Sequence, residues 1–326
     1  IPMSKWLLKS IGLIISVIAF FSPKAAGQFA FYLFARAPGP KPESEKEARV
    51  IRDARPRIEK AKLVHLLLGD GARVAAYDFG ERDEANCRGK VLVVHGYRSR
   101  TEHMLPIIES LMAHDFHVVA IDMPGHGRSQ SRRSHLVNAA EAIDAAWRQF
   151  DGFDVFIGHS FGAAAIVSVA SGTVSTVPPR RPYKLITIAS PTKLRTIFDW
   201  FAKATGMSQT VRAAFEAEVI TLSGRPLDDY DAAKGMALIR SEVLVMHAPD
   251  DKEVPFTCAE ALAAAGPHVR LKPIQGYGHR RILAAPPVLE GILDFLGVRD
   301  FGDAEAQLLQ IRQMNFGPVR EARKSA

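Results

Sequence analysis

The stretch FDVFIGHSFGAAAIVSVA, residues 153–170, decides the fold of this chain. It begins with an apolar run that is typical of a buried strand and ends with small residues that are typical of a helix. The pattern predicts a strand, a sharp turn and a helix, with Ser160 on a strained backbone and its hydroxyl exposed at the carboxyl edge of a sheet. Glycines at positions 158 and 162 suit this turn because a side chain would crowd it.

A serine hydroxyl is a weak nucleophile at neutral pH and needs an adjacent base that a third group orients. Downstream, an apolar run at 242–247 is followed by Asp250 and Asp251, and a second apolar run leads to His279. These residues lie far from Ser160 in the chain. They meet only if the chain folds as a sheet with crossover connections, so the sequence predicts that arrangement.

An oxyanion hole is predicted next to the serine. The run VLVV at 91–94 is a strand core, and His95, Gly96 and Tyr97 follow it. The main-chain N–H groups of Tyr97 and Phe161 are the candidate donors. Loss of one such donor typically costs about 3–4 kcal/mol of transition-state stabilisation.

Five motifs in this order resemble those of the α/β-hydrolase superfamily, in its bacterial branch of serine esterases and lipase-like proteins. They are HGY at 95–97, DMPGHGRS at 122–129, GHSFG at 158–162, PDDKEVP at 249–255 and GYGHRRIL at 276–283. The resemblance covers about residues 63–298. It implies an α/β-hydrolase fold, with a mostly parallel central sheet, crossover helices and a small helical cap.

The resemblance implies the chemistry of a serine hydrolase and leaves the substrate open. We expect cleavage of a carboxylic ester with a small or medium acyl chain through an acyl-enzyme on Ser160, with no cofactor and no metal. The acid of the family pattern lies four residues before a proline, here Pro255, which favours Asp251 over Asp250. His279 is then the base.

Other functions use the same residues. A thioesterase, an amidase or a lysophospholipid hydrolase has the same triad, because the triad does not choose the leaving group. A non-catalytic hydrolase-fold receptor or scaffold is the alternative from a different class. A dehalogenase or epoxide hydrolase is disfavoured because those relatives place an aspartate where Ser160 stands.

Several other polar residues near these motifs are interpreted as structural. His126 and Asp122 are expected to hold their own loop, and His95 to be buried beneath the oxyanion loop. His159 is expected to pack or to shape the pocket.

The chain is predicted to have five parts. They are an apolar helix or anchor at 1–36, a linker with a charged helix at 37–62, a catalytic core at 63–191 and 241–300, a helical cap at 192–240, and a C-terminal helix and tail at 301–326. Within the cap, Phe198, Phe201 and Met207 are candidates to line a substrate pocket. The alternative is that they pack the cap onto the core.

The pattern along the core predicts a starting hairpin around Gly69–Gly71 and then alternating strands and helices, which favours a parallel sheet. Strands are expected near 91–95, 117–122, 153–158, 184–189, 243–247 and 269–274. Helices are expected near 103–114, 136–149, 161–171, 256–265 and 286–296, with an amphipathic one at 304–314.

The N-terminal segment leaves several possibilities open. Met3 is interpreted as the native first residue, and Lys5 and Lys9 precede an apolar run from Ile11 to Phe21. That run is shorter than the roughly 20 residues that span a bilayer core. Residues 5–35 are expected to bind a membrane surface, with a helix packed on the core, a signal peptide or a spanning segment as alternatives. We expect association with the bacterial inner membrane, with a cytoplasmic or exported protein as the alternative.

The charge balance is basic, with a net charge of +7. No nucleic-acid-binding pattern accompanies it, so we expect no nucleic-acid partner. Two cysteines, Cys87 and Cys258, form neither a disulfide framework nor a zinc motif. The oligomeric state is left open.

Seven arginines fall on loops after strands that carry the candidate catalytic residues. They are Arg98, Arg100, Arg128, Arg132, Arg133, Arg280 and Arg281. A positive rim there would favour an anionic substrate. The alternative is that these arginines pair with local acids or are solvated.

Overall fold

The computed structural model describes residues 5–39, 41–42, 44–80 and 87–298. Within them, eight strands form one sheet in the order β1-β2-β4-β3-β5-β6-β7-β8. The strands are β1 (Lys62–Leu67), β2 (Arg73–Asp78), β3 (Lys90–Val94), β4 (His117–Ile121), β5 (Val155–His159), β6 (Lys184–Ile188), β7 (Glu242–His247) and β8 (Val269–Pro273).

The sheet is antiparallel at one edge and parallel elsewhere. β1 and β2 form the predicted hairpin, with Leu63 opposite Tyr77, and β2 runs antiparallel to β4. All pairs from β4 across β3 to β8 are parallel. The fold is therefore the predicted α/β-hydrolase fold, in which the loops after the parallel strands open at one edge of the sheet.

Twelve helices surround the sheet in the described residues. They are α1 (Lys5–Phe21), α2 (Pro23–Phe34), α3 (Glu45–Ile58), α4 (Leu105–Ala113), α5 (Leu136–Gln149), α6 (Phe161–Ser171), α7 (Leu194–Thr205), α8 (Gln209–Ser223), α9 (Ala232–Met236), α10 (Thr257–Ala263), α11 (Gly278–Arg281) and α12 (Pro286–Leu296). Helices α5, α6 and α12 have the predicted bounds. The helix predicted at 103–114 is shorter because Thr101–Met104 is a 3-10 turn. The helix expected at 304–314 lies outside the described residues.

The central parallel strands are buried on both faces, whereas the edge strand β8 is only partly buried. In β3, Leu92 and Val94 belong to one apolar cluster, and Val91 and Val93 belong to the cluster on the opposite face. Side chains alternate across a strand, so both faces of β3 bury apolar groups under helices. This explains why the sequence shows continuous apolar runs at these strands.

Three helices, α7 to α9, are inserted between β6 and β7. The N-terminal hairpin, formed by α1 and α2, packs on two of them. α2 approaches α8 so closely that a Cβ on Gly27 would lie 2.5 Å from the Cβ of Ala214. α1 approaches the end of α7 in the same way, since a Cβ on Gly12 would lie 2.1 Å from the carbonyl oxygen of Thr205. The hairpin is therefore packed on the inserted helices along its length.

Helix α1 is apolar on both sides. Leu8, Ile11 and Ile15 are buried against the rest of the protein. Seven large apolar side chains face outward: Trp6, Leu7, Leu13, Ile14, Val17, Phe20 and Phe21. Phe20 and Phe21 are 86% and 81% exposed. Among the helices in the described part of the chain, none has both the length and the apolar character needed to cross a membrane.

Candidate active site

Ser160 lies at the turn between β5 and α6, with backbone φ of 52° and ψ of −119°. This left-handed φ is costly for a residue with a side chain. Two hydrogen bonds hold it: the Ser160 N–H donates to the carbonyl of Ile188 at 2.8 Å, and its carbonyl accepts from the N–H of Ala164 at 3.1 Å. The strain is offset by these contacts, and the hydroxyl is left half-buried at the carboxyl edge of the sheet.

The glycines on either side of Ser160 are required by close backbone contacts. A Cβ on Gly158 would lie 2.7 Å from the N and Cα of Ala163. A Cβ on Gly162 would lie 2.3 Å from the carbonyl oxygen of His95, at the end of β3. Glycine at both positions lets α6 start directly against β5 and the end of β3.

The structure brings Ser160, His279 and Asp251 together. The Nε2 atom of His279 lies 3.0 Å from the Oγ atom of Ser160. The Nδ1 atom of the same ring lies 2.7 Å from Oδ2 of Asp251. With Nδ1–H donating to the carboxylate, Nε2 accepts from the serine hydroxyl, which is the arrangement that a general base needs.

The carboxylate of Asp251 is enclosed by donors. Its Oδ1 accepts from the N–H groups of Glu253 and Val254, at 2.8 and 2.9 Å. Burial alone would raise the pKa of this carboxyl, but hydrogen bonds from His247, His279 and the Val254 N–H outweigh burial and hold the pKa well below its ordinary value. Asp251 is therefore ionised at neutral pH, and its negative charge is available to the imidazole of His279.

Asp250 has a different role. Its Oδ1 accepts from the N–H of Gly276 at 3.0 Å and ties the acid loop to the loop that carries His279. The imidazole contacts Asp251, as the sequence favoured.

The oxyanion loop, residues 95–100, lies against Ser160. A Cβ on Gly96 would lie 3.1 Å from the Cβ of Ser160. The rings of Tyr97 and Phe161 are in edge contact, with centroids 6.2 Å apart. Phe161 is the first residue of α6, so its N–H has no acceptor within the helix. Both predicted donor residues thus border the serine.

Two buried histidines hold this loop. Nε2 of His126 accepts from the N–H of Arg98 at 3.0 Å, and Nε2 of His95 accepts from the N–H of Met123 at 2.9 Å. An imidazole that accepts at one nitrogen and donates at the other must be neutral. Burial lowers the pKa of His126 to about 4 and that of His95 well below its ordinary value, which keeps both rings neutral.

Asp122 holds the neighbouring loop. Its side chain accepts from the N–H and hydroxyl of Thr101, from the N–H of Arg128 and from the hydroxyl of Tyr77, all within 2.9 Å. Four donors satisfy this buried carboxylate, so it acts as a structural connection between β2, the 3-10 turn at Thr101–Met104 and the loop after β4.

His159 packs on the histidine of the site. Its Nε2–H donates to the carbonyl oxygen of His279 at 2.9 Å, and the two ring centroids lie 4.9 Å apart. Burial lowers the pKa of His159 to about 3. A neutral ring here supports the backbone of His279 and adds no charge beside it.

A cleft with a volume of about 1620 Å³ opens above Ser160. Its apolar lining includes Leu136 from α5, Phe161 from α6, Ile197 and Phe198 from α7, and Leu222 from α8. Its charged lining comes mainly from α3 and from the loops after β3, β7 and β8. The cleft is therefore suited to a molecule with an apolar part and a polar part.

Of the three pocket candidates, only Phe198 borders the cleft. The assignment of Phe201 and Met207 to the pocket was wrong. Phe201 is buried with its ring 5.4 Å from Phe34 of α2, and Met207 packs into the same apolar cluster. The reason is that the N-terminal hairpin covers this side of the inserted helices.

The arginines of the predicted positive rim have different surroundings. Arg98, Arg280 and Arg281 border the cleft. Arg100 and Arg128 lie 3.9 Å from Glu47 and Glu59 respectively, and Arg280 pairs with Glu253 at 3.1 Å. Arg133 lies over the ring of Tyr32.

Lysines also border the cleft. Lys46, Lys193 and Lys252 lie at its rim, and in the described part of the chain none of them forms an ion pair. The cations at the rim are therefore partly neutralised and partly free. Cys258 also borders the cleft, and both cysteines are free thiols.

Sequence reasoning missed three contributors to the site. Phe31 and Phe34 of α2 border the cleft. His247, at the end of β7, lies with its Nε2 atom 3.4 Å from Oδ2 of Asp251. The position of His247 four residues before Asp251 was a usable signal. Nothing local pointed to the phenylalanines, because their role depends on where the hairpin packs.

Several solved structures of other proteins share this fold. An esterase of Pyrococcus furiosus, Pf2001, is 18% identical with a TM-score of 0.56 and covers 81% of this chain and 97% of its own. A hydrolase from Pseudomonas aeruginosa PA01 is 19% identical with a TM-score of 0.56, over 72% and 98% of the two chains. A membrane phospholipase A, a bacterial virulence factor, is 15% identical with a TM-score of 0.55, over 78% and 92%. At these identities the likeness shows the fold alone.

The sequence itself decides the family. A model of the alpha/beta hydrolase family matches residues 91–290, from β3 to α12. The match spans more than half of the chain and includes every residue of the Ser160–His279–Asp251 cluster. The protein belongs to the α/β-hydrolase family.

Proposed function

We propose that this protein hydrolyses a carboxylic ester through an acyl-enzyme on Ser160. The observation that carries the proposal is the chain of contacts from Asp251 to His279 at 2.7 Å and from His279 to Ser160 at 3.0 Å. Its geometry supports a Ser-His-Asp triad in which the acid precedes the histidine in the chain.

In the first half of the reaction, the Oγ atom of Ser160 attacks the acyl carbonyl carbon while Nε2 of His279 takes the hydroxyl proton. The tetrahedral intermediate carries its charge on the former carbonyl oxygen. It collapses when His279 gives the proton to the alkoxy oxygen, and the alcohol leaves. Asp251 stays ionised and stabilises the imidazolium that forms in between.

In the second half of the reaction, a water molecule replaces the serine hydroxyl as the nucleophile. His279 removes a proton from the water molecule, the resulting hydroxide adds to the acyl carbon, and the C–O bond to Ser160 breaks as the proton returns to Oγ. The products are the restored serine and a carboxylic acid, which releases its proton to solvent at neutral pH and leaves as the carboxylate. The N–H groups of Tyr97 and Phe161 are the proposed donors to the oxyanion in both halves.

The inserted helices support the choice of substrate. We propose that residues 192–240 act as a cap over an acyl-binding cleft, because α7 and α8 supply apolar side chains to its wall. Lysophospholipid hydrolysis is the second candidate, favoured by the presence of both apolar and charged residues in the lining of one large cleft. A membrane phospholipase A shares the fold. Thioesterase and amidase activities use the same cleft and the same triad.

We also propose an anionic preference. Lys46, Lys193 and Lys252 at the rim would attract a substrate that carries a carboxylate or phosphate. Turnover of an anionic ester would then fall with added salt, and turnover of a matched neutral ester would not. Equal salt responses would contradict the preference.

A membrane surface is the proposed partner of the hairpin. Its outward face carries seven exposed apolar side chains, and residues 5–35 contain three lysines and no acidic residue. Such a face suits an interfacial helix on anionic lipid. We therefore propose association with the inner membrane through this segment.

The test of the proposed chemistry is labelling and turnover of the full chain. A fluorophosphonate probe should label Ser160 in the native protein, and p-nitrophenyl esters should be hydrolysed. Ser160→Ala should keep the fold, as seen by circular dichroism, and lose labelling and nearly all turnover. Turnover that survives in this variant would place the nucleophile elsewhere, and a native protein that neither labels nor turns over would favour the non-catalytic alternative.

A further inference from the structure

The inner face of the N-terminal hairpin borders the same cleft as Ser160. Phe31 and Phe34 lie about one turn apart on α2, and both face the cleft. Phe31 is buried and Phe34 is half-buried. The hairpin is therefore a wall of the site as well as the carrier of an exposed apolar face.

These two rings are held in an aromatic cluster. The ring of Phe34 lies 4.6 Å from that of Phe198 and 5.5 Å from that of Phe215, centroid to centroid. The ring of Phe31 lies 6.1 Å from that of Phe215. Rings packed on several sides cannot turn away without opening a void, so they form a firm boundary.

Helix α2 is also held against two parts of the protein, α8 and the loop that borders Ser160. On one side, Gly27 allows the contact with Ala214 of α8 described above. On the other side, the Tyr97 hydroxyl donates to the carbonyl of Arg36 at 3.0 Å, and the N–H of Ser134 donates to the carbonyl of Ala35 at 2.7 Å. Tyr97 is a residue of the oxyanion loop, so the end of α2 is tied to the loop that borders Ser160.

We propose that Phe31 and Phe34 set the length of the acyl chain that is accepted at Ser160. A straight acyl chain would run from Ser160 along the apolar lining residues of the cleft, which include Ile197 and Phe198, and end against the two phenylalanines. This proposal rests on the proposed acyl transfer. It adds that the limit on chain length comes from the N-terminal hairpin, outside the catalytic core.

The experiment compares chain-length profiles of the full-length protein and its variants on p-nitrophenyl esters from acetate to palmitate. Phe34→Ala, alone and with Phe31→Ala, should move the optimum to longer chains. Each methylene newly buried should raise the kcat/KM of the longer ester relative to the shorter by about fourfold. Phe34→Trp should move the optimum to shorter chains.

Tyr32→Ala is the matched control, because Tyr32 lies on the same helix, is exposed and does not border the cleft. It should leave the profile unchanged. Fluorophosphonate titration counts the competent sites in each preparation, and Phe34→Leu replaces Phe34→Ala if that variant does not fold. Unshifted profiles in variants with intact, titratable Ser160 would overturn the proposal while leaving the esterase standing. A native protein without labelling or turnover would instead remove the proposed function.

Discussion

Two adjacent carboxylates, Asp250 and Asp251, end in different surroundings. Asp250 accepts a single backbone hydrogen bond, from Gly276. Asp251 accepts from two N–H groups and from the imidazole of His279, and its pKa is lowered accordingly. Two neighbouring residues therefore differ in what they contact: Asp250 contacts the backbone of the loop before His279, and Asp251 contacts the imidazole of His279 itself.

Substitution of the two carboxylates separates these roles. Asp251→Asn should lower kcat by about 10⁴-fold, because an amide stabilises the wrong tautomer of His279 and cannot stabilise the imidazolium. Asp250→Asn, the matched control, keeps an oxygen acceptor for Gly276 and should stay within a few-fold of the native kcat. Steady-state turnover of one ester by both variants decides the question. A large loss in the Asp250 variant with a small loss in the Asp251 variant would reverse the assignment.

At the scale of elements, the contact between α2 and α8 depends on one missing side chain. In an exposed helix, Gly→Ala stabilises by about 1 kcal/mol. At Gly27 the added methyl would meet the backbone of Phe215 at 2.6 Å as well as the side chain of Ala214. Such overpacking costs about 1–3 kcal/mol, so the steric term exceeds the helix propensity.

Gly27→Ala should therefore lower the free energy of unfolding or detach the hairpin. Urea unfolding followed by circular dichroism measures the first outcome, and limited proteolysis between α2 and α3 measures the second. Gly69→Ala is the control, since no atom lies within 4 Å of its Cβ position. If Gly27→Ala is as stable as the native protein and equally resistant to protease, the close contact is not required.

The exposed apolar face of α1 leads to a separate prediction, about binding to lipid vesicles. The double variant Phe20→Ser with Phe21→Ser should bind vesicles of anionic phospholipid about tenfold or more weakly than the native protein. The reason is that it lacks the two rings whose transfer from water into the membrane contributes free energy to binding. Cosedimentation with vesicles measures this, and hydrolysis of a short soluble ester should be unaffected. Tyr183→Ser is the control, because Tyr183 is 80% exposed but lies far along the chain, before β6.

Two results would speak against a lipid-binding face. The first is equal vesicle binding by the double variant and the native protein. The second is a native protein that ignores vesicles but forms a dimer that the double variant does not form, which would make the face an interface between copies of the chain.

At the scale of the whole molecule, buried histidines link stability to pH. Burial lowers the pKa of His103, His126 and His135 to about 4 and that of His159 to about 3, and it also lowers that of His95. Unfolding restores an ordinary pKa near 6.5. Between these values the unfolded chain binds more protons than the folded protein, so stability is lost as the pH falls from about 6.5 toward 4.

Three half-buried acids act in the opposite direction. Burial raises the pKa of Glu102 to about 7 and also raises the pKa values of Glu109 and Glu141, so the folded protein holds protons there at pH values where the unfolded chain has released them. Five histidines outweigh these three acids. We therefore expect a lower urea midpoint at pH 5 than at pH 7, with net proton uptake on unfolding. A midpoint that is constant or higher at pH 5 would show that these rings are protonated in the folded protein.

The sequence by itself determined the features that depend on local order. The strand, turn and helix around Ser160 follow from contiguous residues, since the apolar periods and the two glycines act within one turn. The chain order of Ser160, Asp251 and His279 can be recognised from the sequence motifs alone. Strands buried on both faces can also be recognised in the sequence, because both sets of alternate residues must be apolar.

Only the tertiary structure decided which apolar surfaces meet. Phe198 borders the cleft and Phe201 does not, although both are apolar residues of the same helix. Helix α1 is apolar on two sides, so its periodicity could not say which side packs on the protein and which faces out. The hairpin joins the site through contacts between residues far apart in the chain, and burial of apolar surface is non-directional, so no local pattern encodes the partner.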